Sequence, residues 1–316
     1  MCRLALIDMS RDGRGMSGAS SSRASTGLLL AFGAYGLWGI LPLYFHQLKG
    51  VPAGQILAHR VLWSLILLIG LILVLKRVRA LIAAARGRTL VLLFASATII
   101  ATNWLIYIWA VVSDHVLEAS LGYFMNPLVN VALGVAVLGE RVRRVQGMAI
   151  AIAAAGVAVM AFSGGGAIWV SLALAATFAL YGLLRKVMAM DALGGLTVET
   201  LLIAPFAAGL LFLSMRDGTS AWGQSGGLDL LLALAGPITA VPLLMFAGAA
   251  RRLPLSTLGL IQYTSPSLQF MLAVFVFGEA LHAENIVTFA LIWSGCALYA
   301  WDSWRASRPV RPMLPE

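Results

Sequence analysis

The chain has 316 residues, 60% of them hydrophobic and only 11% charged, with a mean hydropathy of +0.91, which leaves too little polar surface to coat a water-soluble globule. A formal charge of +9 would suit a nucleic-acid binder only if the basic residues formed one solvated patch, and they sit instead in short gaps between apolar runs. Lipid is the expected solvent, and no nucleic-acid partner, cofactor or metal is expected.

A basic, Ser/Gly/Arg-rich arm over residues 1–26 reads as disordered and cytoplasmic. A spanning helix needs ~20 mainly apolar residues. Ten such runs follow in chain order: Gly27–Phe45, Ile56–Leu75, Thr89–Val112, Leu117–Leu138, Val145–Phe162, Ala167–Leu184, Leu196–Leu213, Leu228–Ala250, Leu255–Phe277 and Asn285–Trp301. A tail over residues 305–316 closes the chain. Nineteen Lys and Arg fall on one side of this alternation, against Lys49 and Arg216 on the other, so both termini are expected in the cytoplasm of a bacterial inner-membrane protein. Cys2 and Cys296 stand at opposite ends and imply no disulfide framework.

A shift of 139 residues lays Leu121-Gly-Tyr-Phe-Met-Asn-Pro127 over Leu260-Ile-Gln-Tyr-Thr-Ser-Pro266, and Gly139-Glu140 over Gly278-Glu279. Eleven of 42 positions match between Ser120–Ala161 and Gly259–Ala300. The first copy ends in Glu140-Arg-Val-Arg-Arg144, whereas the second, Glu279-Ala-Leu-His-Ala-Glu284, holds no Lys or Arg, so the copies should lie in opposite orientations. An odd number of helices per half forces the same inversion. The expected fold is an all-α membrane protein of two inverted five-helix repeats, residues 27–162 and 167–304, around a site that each half can close from its own side.

Ser120-Leu-Gly-Tyr-Phe-Met-Asn-Pro127, Gly139-Glu140-Arg141, Tyr181-Gly-Leu-Leu-Arg-Lys186, Gly236-Pro-Ile-Thr-Ala-Val-Pro242 and Arg251-Arg-Leu-Pro-Leu-Ser-Thr-Leu-Gly-Leu-Ile-Gln-Tyr263 resemble the RarD branch of the EamA-type transporters in the drug/metabolite transporter superfamily. The resemblance runs from Gly27 to Asp302. It implies ten helices, a cavity lined by helices one to four and six to nine, and transport of a small metabolite or drug, with a link to chloramphenicol sensitivity or resistance. A proton is a candidate coupling ion. The sequence leaves the oligomeric state open, and it holds no metalloprotease, nucleophile-elbow or phosphate-loop motif that would mark an enzyme.

Within this frame, Arg60 is the one Arg or Lys well inside a run, and burying it costs at least ~2.5 kcal/mol. It reads as an anion-binding or gating cation, against snorkelling to the outer headgroups. Glu199 occupies its 139-shifted position. The expected gates are Arg60 with Glu118 or Asp114 outside, and Glu199 with Arg185 or Lys186 inside. Tyr35, Trp38, Asn103, Trp104, Tyr107, Tyr123, Asn126, Tyr181, Gln262, Tyr263 and Gln269 are candidates to line a cavity, where rings supply contact area and a few polar groups fix orientation. Tyr44, Trp169, Trp301 and Trp304 fit an interfacial belt better. Pro127 and Pro266 are candidate helix kinks at matched positions. Glu140 and Glu279 read as caps for the starts of the fifth and tenth helices, and Gly33, Gly36 and Gly39 as a packing face.

Overall fold

The computed structural model describes residues 12–138, 143–163, 167–188, 190–250, 252–253, 257–258 and 261–306, and the described residues form helices and connecting turns only. In chain order the helices are α1 (Asp12–His46), α2 (Ala53–Val74), α3 (Val78–Ala84), α4 (Arg88–Val112), α5 (Val116–Leu138), α6 (Arg144–Phe162), α7 (Ile168–Val187), α8 (Ala192–Arg216), α9 (Gly226–Ala250), α10 (Thr264–Phe275) and α11 (Ala283–Ala306). Eight of them are long and apolar enough to cross a membrane: the Ser25–His46 part of α1, α2, α4, α6, the Ile168–Arg185 part of α7, α8, α9, and the Ala283–Asp302 part of α11. α5 coincides with the fourth predicted run.

Three features depart from expectation. The arm taken as disordered is helical from Asp12, continuing the first span, because extending an existing helix avoids the cost of nucleating one. The basic loop after α2 holds the short helix α3. The ninth run is broken: residues 257, 258 and 261 are helical, Gln262 and Tyr263 turn, and α10 starts at Thr264. Pro266 therefore stands third in a helix, where its missing N–H has no intrahelical acceptor to lose, and it starts α10 where a kink was expected. Pro127 lies inside the continuous α5, with its ring outside the described residues. Glu140, residues 164–166 and the tail from 307 also lie outside them.

The packing shows the repeat directly. Each of α2, α5 and α6 packs on its counterpart in the other half, α8, α10 and α11 respectively. Exchanging the halves maps the remaining main contacts onto one another: α1 on α9 becomes α7 on α4, α1 on α10 becomes α7 on α5, and α2 on α9 becomes α8 on α4. The copies run antiparallel. A Cβ on Gly156 would lie 3.1 Å from the Thr288 carbonyl oxygen, and one on Gly295 would lie 2.7 Å from that of Ala149, where 149 and 288 are themselves related by the 139 shift. The two glycines let α6 and α11 approach backbone to backbone, and Thr288 Oγ1 donates to the Gly156 carbonyl at 3.1 Å. Arg143 at the start of α6 meets Asp302 near the end of α11 at 2.7 Å, which puts Arg143 and the loop before α11 at opposite ends of that pair.

Gly33 and Gly39 admit side chains of α9 and α10, Met245 and Leu268, whereas nothing stands within 4 Å of a Cβ on Gly36. Gly236 does the same for α2 against α9, since a Cβ there would sit 2.7 Å from the Trp63 carbonyl carbon. Phe32, Ile66, Leu73, Val91, Phe206, Phe212 and Phe275 point outward and are more than half or nearly half exposed, as expected of surfaces meant for lipid.

Candidate functional site

Helical spacing decides which side chains reach the interior. On α2 the buried face carries Ile56, His59, Arg60, Ser64, Leu68 and Ile72, and on α4 it carries Ser96, Ile100, Asn103 and Tyr107. These two polar-bearing stripes, with Tyr123 of α5 and the end of α1, build a cationic and aromatic cluster.

Arg60 is its centre. It is 5% exposed, and its guanidinium lies 4.3 Å from the Trp104 ring and 6.0 Å from that of Phe45. Tyr107 stands 6.0 Å from the Phe45 ring and 5.5 Å from that of Tyr123. The Tyr123 hydroxyl donates to Asn103 Oδ1 at 3.4 Å, while Asn103 Nδ2 donates to the Leu174 carbonyl at 3.1 Å and to Thr177 Oγ1 at 2.9 Å. Arg60 Nε and Nη1, Ser64 Oγ and the Tyr107 hydroxyl are buried without a hydrogen-bond partner.

The expected outer gate is not formed as drawn. Asp114 is engaged by Lys49 at 2.5 Å, and Glu118 faces His115 at 3.7 Å and accepts from the Ala167 N–H at 3.4 Å, which leaves Arg60 without a carboxylate among the described residues. Tyr44 also departs from the belt: its hydroxyl donates to the Leu231 carbonyl at 2.8 Å, within the bundle.

At the other end Glu199, 1% exposed, accepts from Ser96 Oγ at 2.6 Å and from the Tyr181 hydroxyl at 3.5 Å, and lies 3.6 Å from Arg185. Arg185 crosses Gly195 so closely that a side chain there would collide with its guanidinium. Its Nη2 donates to the Asp191 carbonyl at 3.2 Å, and Asp191 pairs with Arg77 at 3.2 Å. The Lys186 side chain is outside the described residues.

The remaining candidates form two further groups. Tyr35, Trp38 and Phe246 pack as a triangle of rings with centroids 5.4–6.0 Å apart, and Gln269 Nε2 donates to the Trp38 carbonyl at 3.1 Å. Tyr263 does not join them: with Phe124, Trp293 and Cys296 it lines a groove of about 300 Å³ beside the peripheral α11. Asn126 is buried with Oδ1 unpartnered, and Gln262 is half-buried at the turn before α10.

Glu279 caps a helix, but a different one from that expected. Its Oε1 and Oε2 accept from the Val116 and Leu117 N–H groups, both at 2.8 Å, so the end of one repeat's segment holds the start of its counterpart, α5. Burial lifts the Glu279 carboxyl above its ordinary value and the two N–H donors oppose this, while Glu118 and Asp114 add to the rise. Ser64, Ser96, Tyr44 and this inter-repeat cap were missed in sequence. Ser64 stands one turn from Arg60, and Ser96 seven residues from Asn103, so helical spacing carried the signal for both.

A helical bundle with an apolar exterior and two antiparallel copies of one segment is the architecture of a polytopic membrane protein with an inverted repeat. The EamA-like transporter family model matches residues 25–162. The chain is 47% identical over 279 residues to Protein RarD of Salmonella typhi, covering 88% of this chain and 95% of that protein. It is 46% identical over 281 residues to Protein RarD of Escherichia coli K12, covering 88% and 94%. It is 36% identical over 292 residues to the chloramphenicol-sensitive protein RarD of Pseudomonas aeruginosa, covering 89% and 96%. A crystal structure of 19% sequence identity shares the fold, with a TM-score of 0.61 over 89% of this chain and 99% of that one. The chain belongs to the RarD family of EamA-type transporters, in the drug/metabolite transporter superfamily.

Proposed function

We propose that the chain is a secondary carrier of a small metabolite or drug, working by alternating access without altering its substrate chemically, in the bacterial inner membrane with both termini cytoplasmic. The observation that carries this is the pairing of α2, α5 and α6 with their counterparts α8, α10 and α11, antiparallel at α6 and α11, in a bundle that buries the Arg60 cluster. Two equivalent halves can exchange conformations, and that exchange moves access from one end of the bundle to the other. The capped junction of Glu279 with α5 serves as the outer closure, and the Glu199–Arg185–Ser96 cluster as the inner one. Glu199, a carboxylate inside the bundle, is the residue we assign to proton coupling. Chloramphenicol enters as a candidate substrate from the name of the Pseudomonas relative.

The test is comparison of metabolites in deletion and overexpression strains, followed by uptake of the changed compound into proteoliposomes with and without a pH gradient. A carrier gives saturable uptake and counterflow. Unsaturable flux without counterflow, or no flux of any compound, removes the proposal.

A further inference from the structure

Arg60 brings a positive charge into the bundle where, among the described residues, no acid meets it. The buried acids among the described residues are engaged elsewhere, Glu199 by Ser96 and Arg185 and Glu118 by His115 and the Ala167 N–H, and the half-buried Glu279 is held by two N–H groups of α5. Beside Arg60 Nε and Nη1, two neutral donors are also unsatisfied, Ser64 Oγ one turn further along α2 and the Tyr107 hydroxyl from α4. Buried donors left unmade cost free energy, and a charged one costs most, so four of them on the buried faces of two packed helices describe a site awaiting an acceptor.

We propose that this cluster binds the head group of a small organic monoanion with a flat, apolar body, the deprotonated acid accepting from Arg60 and from the hydroxyls of Ser64 and Tyr107. The single cation sets the charge, because a second negative charge would be buried unpaired. The rings set the shape: Trp104 underlies the guanidinium at 4.3 Å, and Phe45, Tyr107 and Tyr123 pack in series beside it with centroids 6.0 and 5.5 Å apart. A sugar would turn hydroxyls towards those rings without partners, and an ammonium compound would meet the guanidinium charge. That this anion is carried across the membrane rests on the carrier reading; that it binds does not.

Two near-isosteric probes separate charge from shape, benzenesulfonate, a permanent monoanion, and benzenesulfonamide, neutral at pH 7. Thermal unfolding of the full-length protein in detergent is measured against each. Benzenesulfonate should bind roughly tenfold or more tightly than the sulfonamide, the step expected of one hydrogen bond to a charged group. Arg60→Lys should keep part of that preference and Arg60→Gln should abolish it; if R60Q does not fold, the wild-type ratio and R60K decide. Equal binding of the two probes, no binding of benzenesulfonate, or a full preference surviving in R60Q overturns the anion site. Counterflow of benzenesulfonate in proteoliposomes is the second arm. Preference without flux keeps the site and removes the carrier reading, whereas counterflow of a neutral or cationic compound that benzenesulfonate does not inhibit keeps the carrier and overturns the site.

Discussion

Replacing Glu279 by Ala removes two hydrogen bonds at once, since its carboxylate oxygens accept from the Val116 and Leu117 N–H groups at 2.8 Å each. Those donors belong to the first turn of α5 and have no acceptor within their own helix. A backbone hydrogen bond is worth about 1 kcal/mol net, so losing both should destabilise Glu279→Ala by about 2 kcal/mol. At roughly 2 °C per kcal/mol for a chain of this length, the melting temperature should fall by about 4 °C. Glu279→Gln keeps one acceptor and sheds a charge that burial disfavours, so it should fall no more than about half as far. The protein supplies its own reporter, because Cys296 is buried and donates to the Phe124 carbonyl, so once Cys2 is replaced by Ser its reaction with a thiol-sensitive fluorophore should accelerate on unfolding. Asp217→Asn, at an exposed carboxylate after α8, controls for the mere loss of an acid. The inter-repeat cap would be refuted if E279A melted within about 1 °C of the parent, or if D217N matched it.

Lowering the pH should favour the packed junction over its opened form as the pH falls towards the raised Glu279 value, because a carboxyl lifted by burial holds its proton more tightly than an exposed one. That gain is lost as the pH rises through the same value, and E279Q should flatten the profile of labelling at a cysteine placed in the 280–282 loop. Ser96→Ala deprives the buried Glu199 of its 2.6 Å hydrogen bond and should cost about 1.5–3 kcal/mol in thermal unfolding. Gly295→Ala, whose Cβ would meet the Ala149 carbonyl at 2.7 Å, should cost about 1–3 kcal/mol, more than Gly156→Ala, whose nearest contact is 3.1 Å. Epitope tags beside Arg143 and His282 should report from opposite faces of the membrane, and finding both on one face would contradict the antiparallel packing of α6 and α11.

What the amino-acid order determines here is the class of fold. Apolar runs long enough to span lipid, basic residues confined to alternate loops, and a gapless 139-residue repeat are one-dimensional signals, since bilayer thickness and charge asymmetry act on each segment separately. Asn103 and Tyr107 on the buried face of α4 were legible for the same reason, since helical period is a local property, whereas Ser96 on that face was missed. Partner choice was not. Arg60 was expected to meet Glu118 or Asp114, yet Lys49 and His115 stand nearer to those acids, and Glu279 reaches across to α5 rather than to the helix that follows it. Pro266 reads as a kink until the turn at Gln262 and Tyr263 makes it a helix start. These outcomes were decided only when the chain packed, because an ion pair or a cap depends on a few ångströms of approach between segments that are 65 residues apart for Lys49 and Asp114 and 163 apart for Val116 and Glu279, and no local pattern carries that distance.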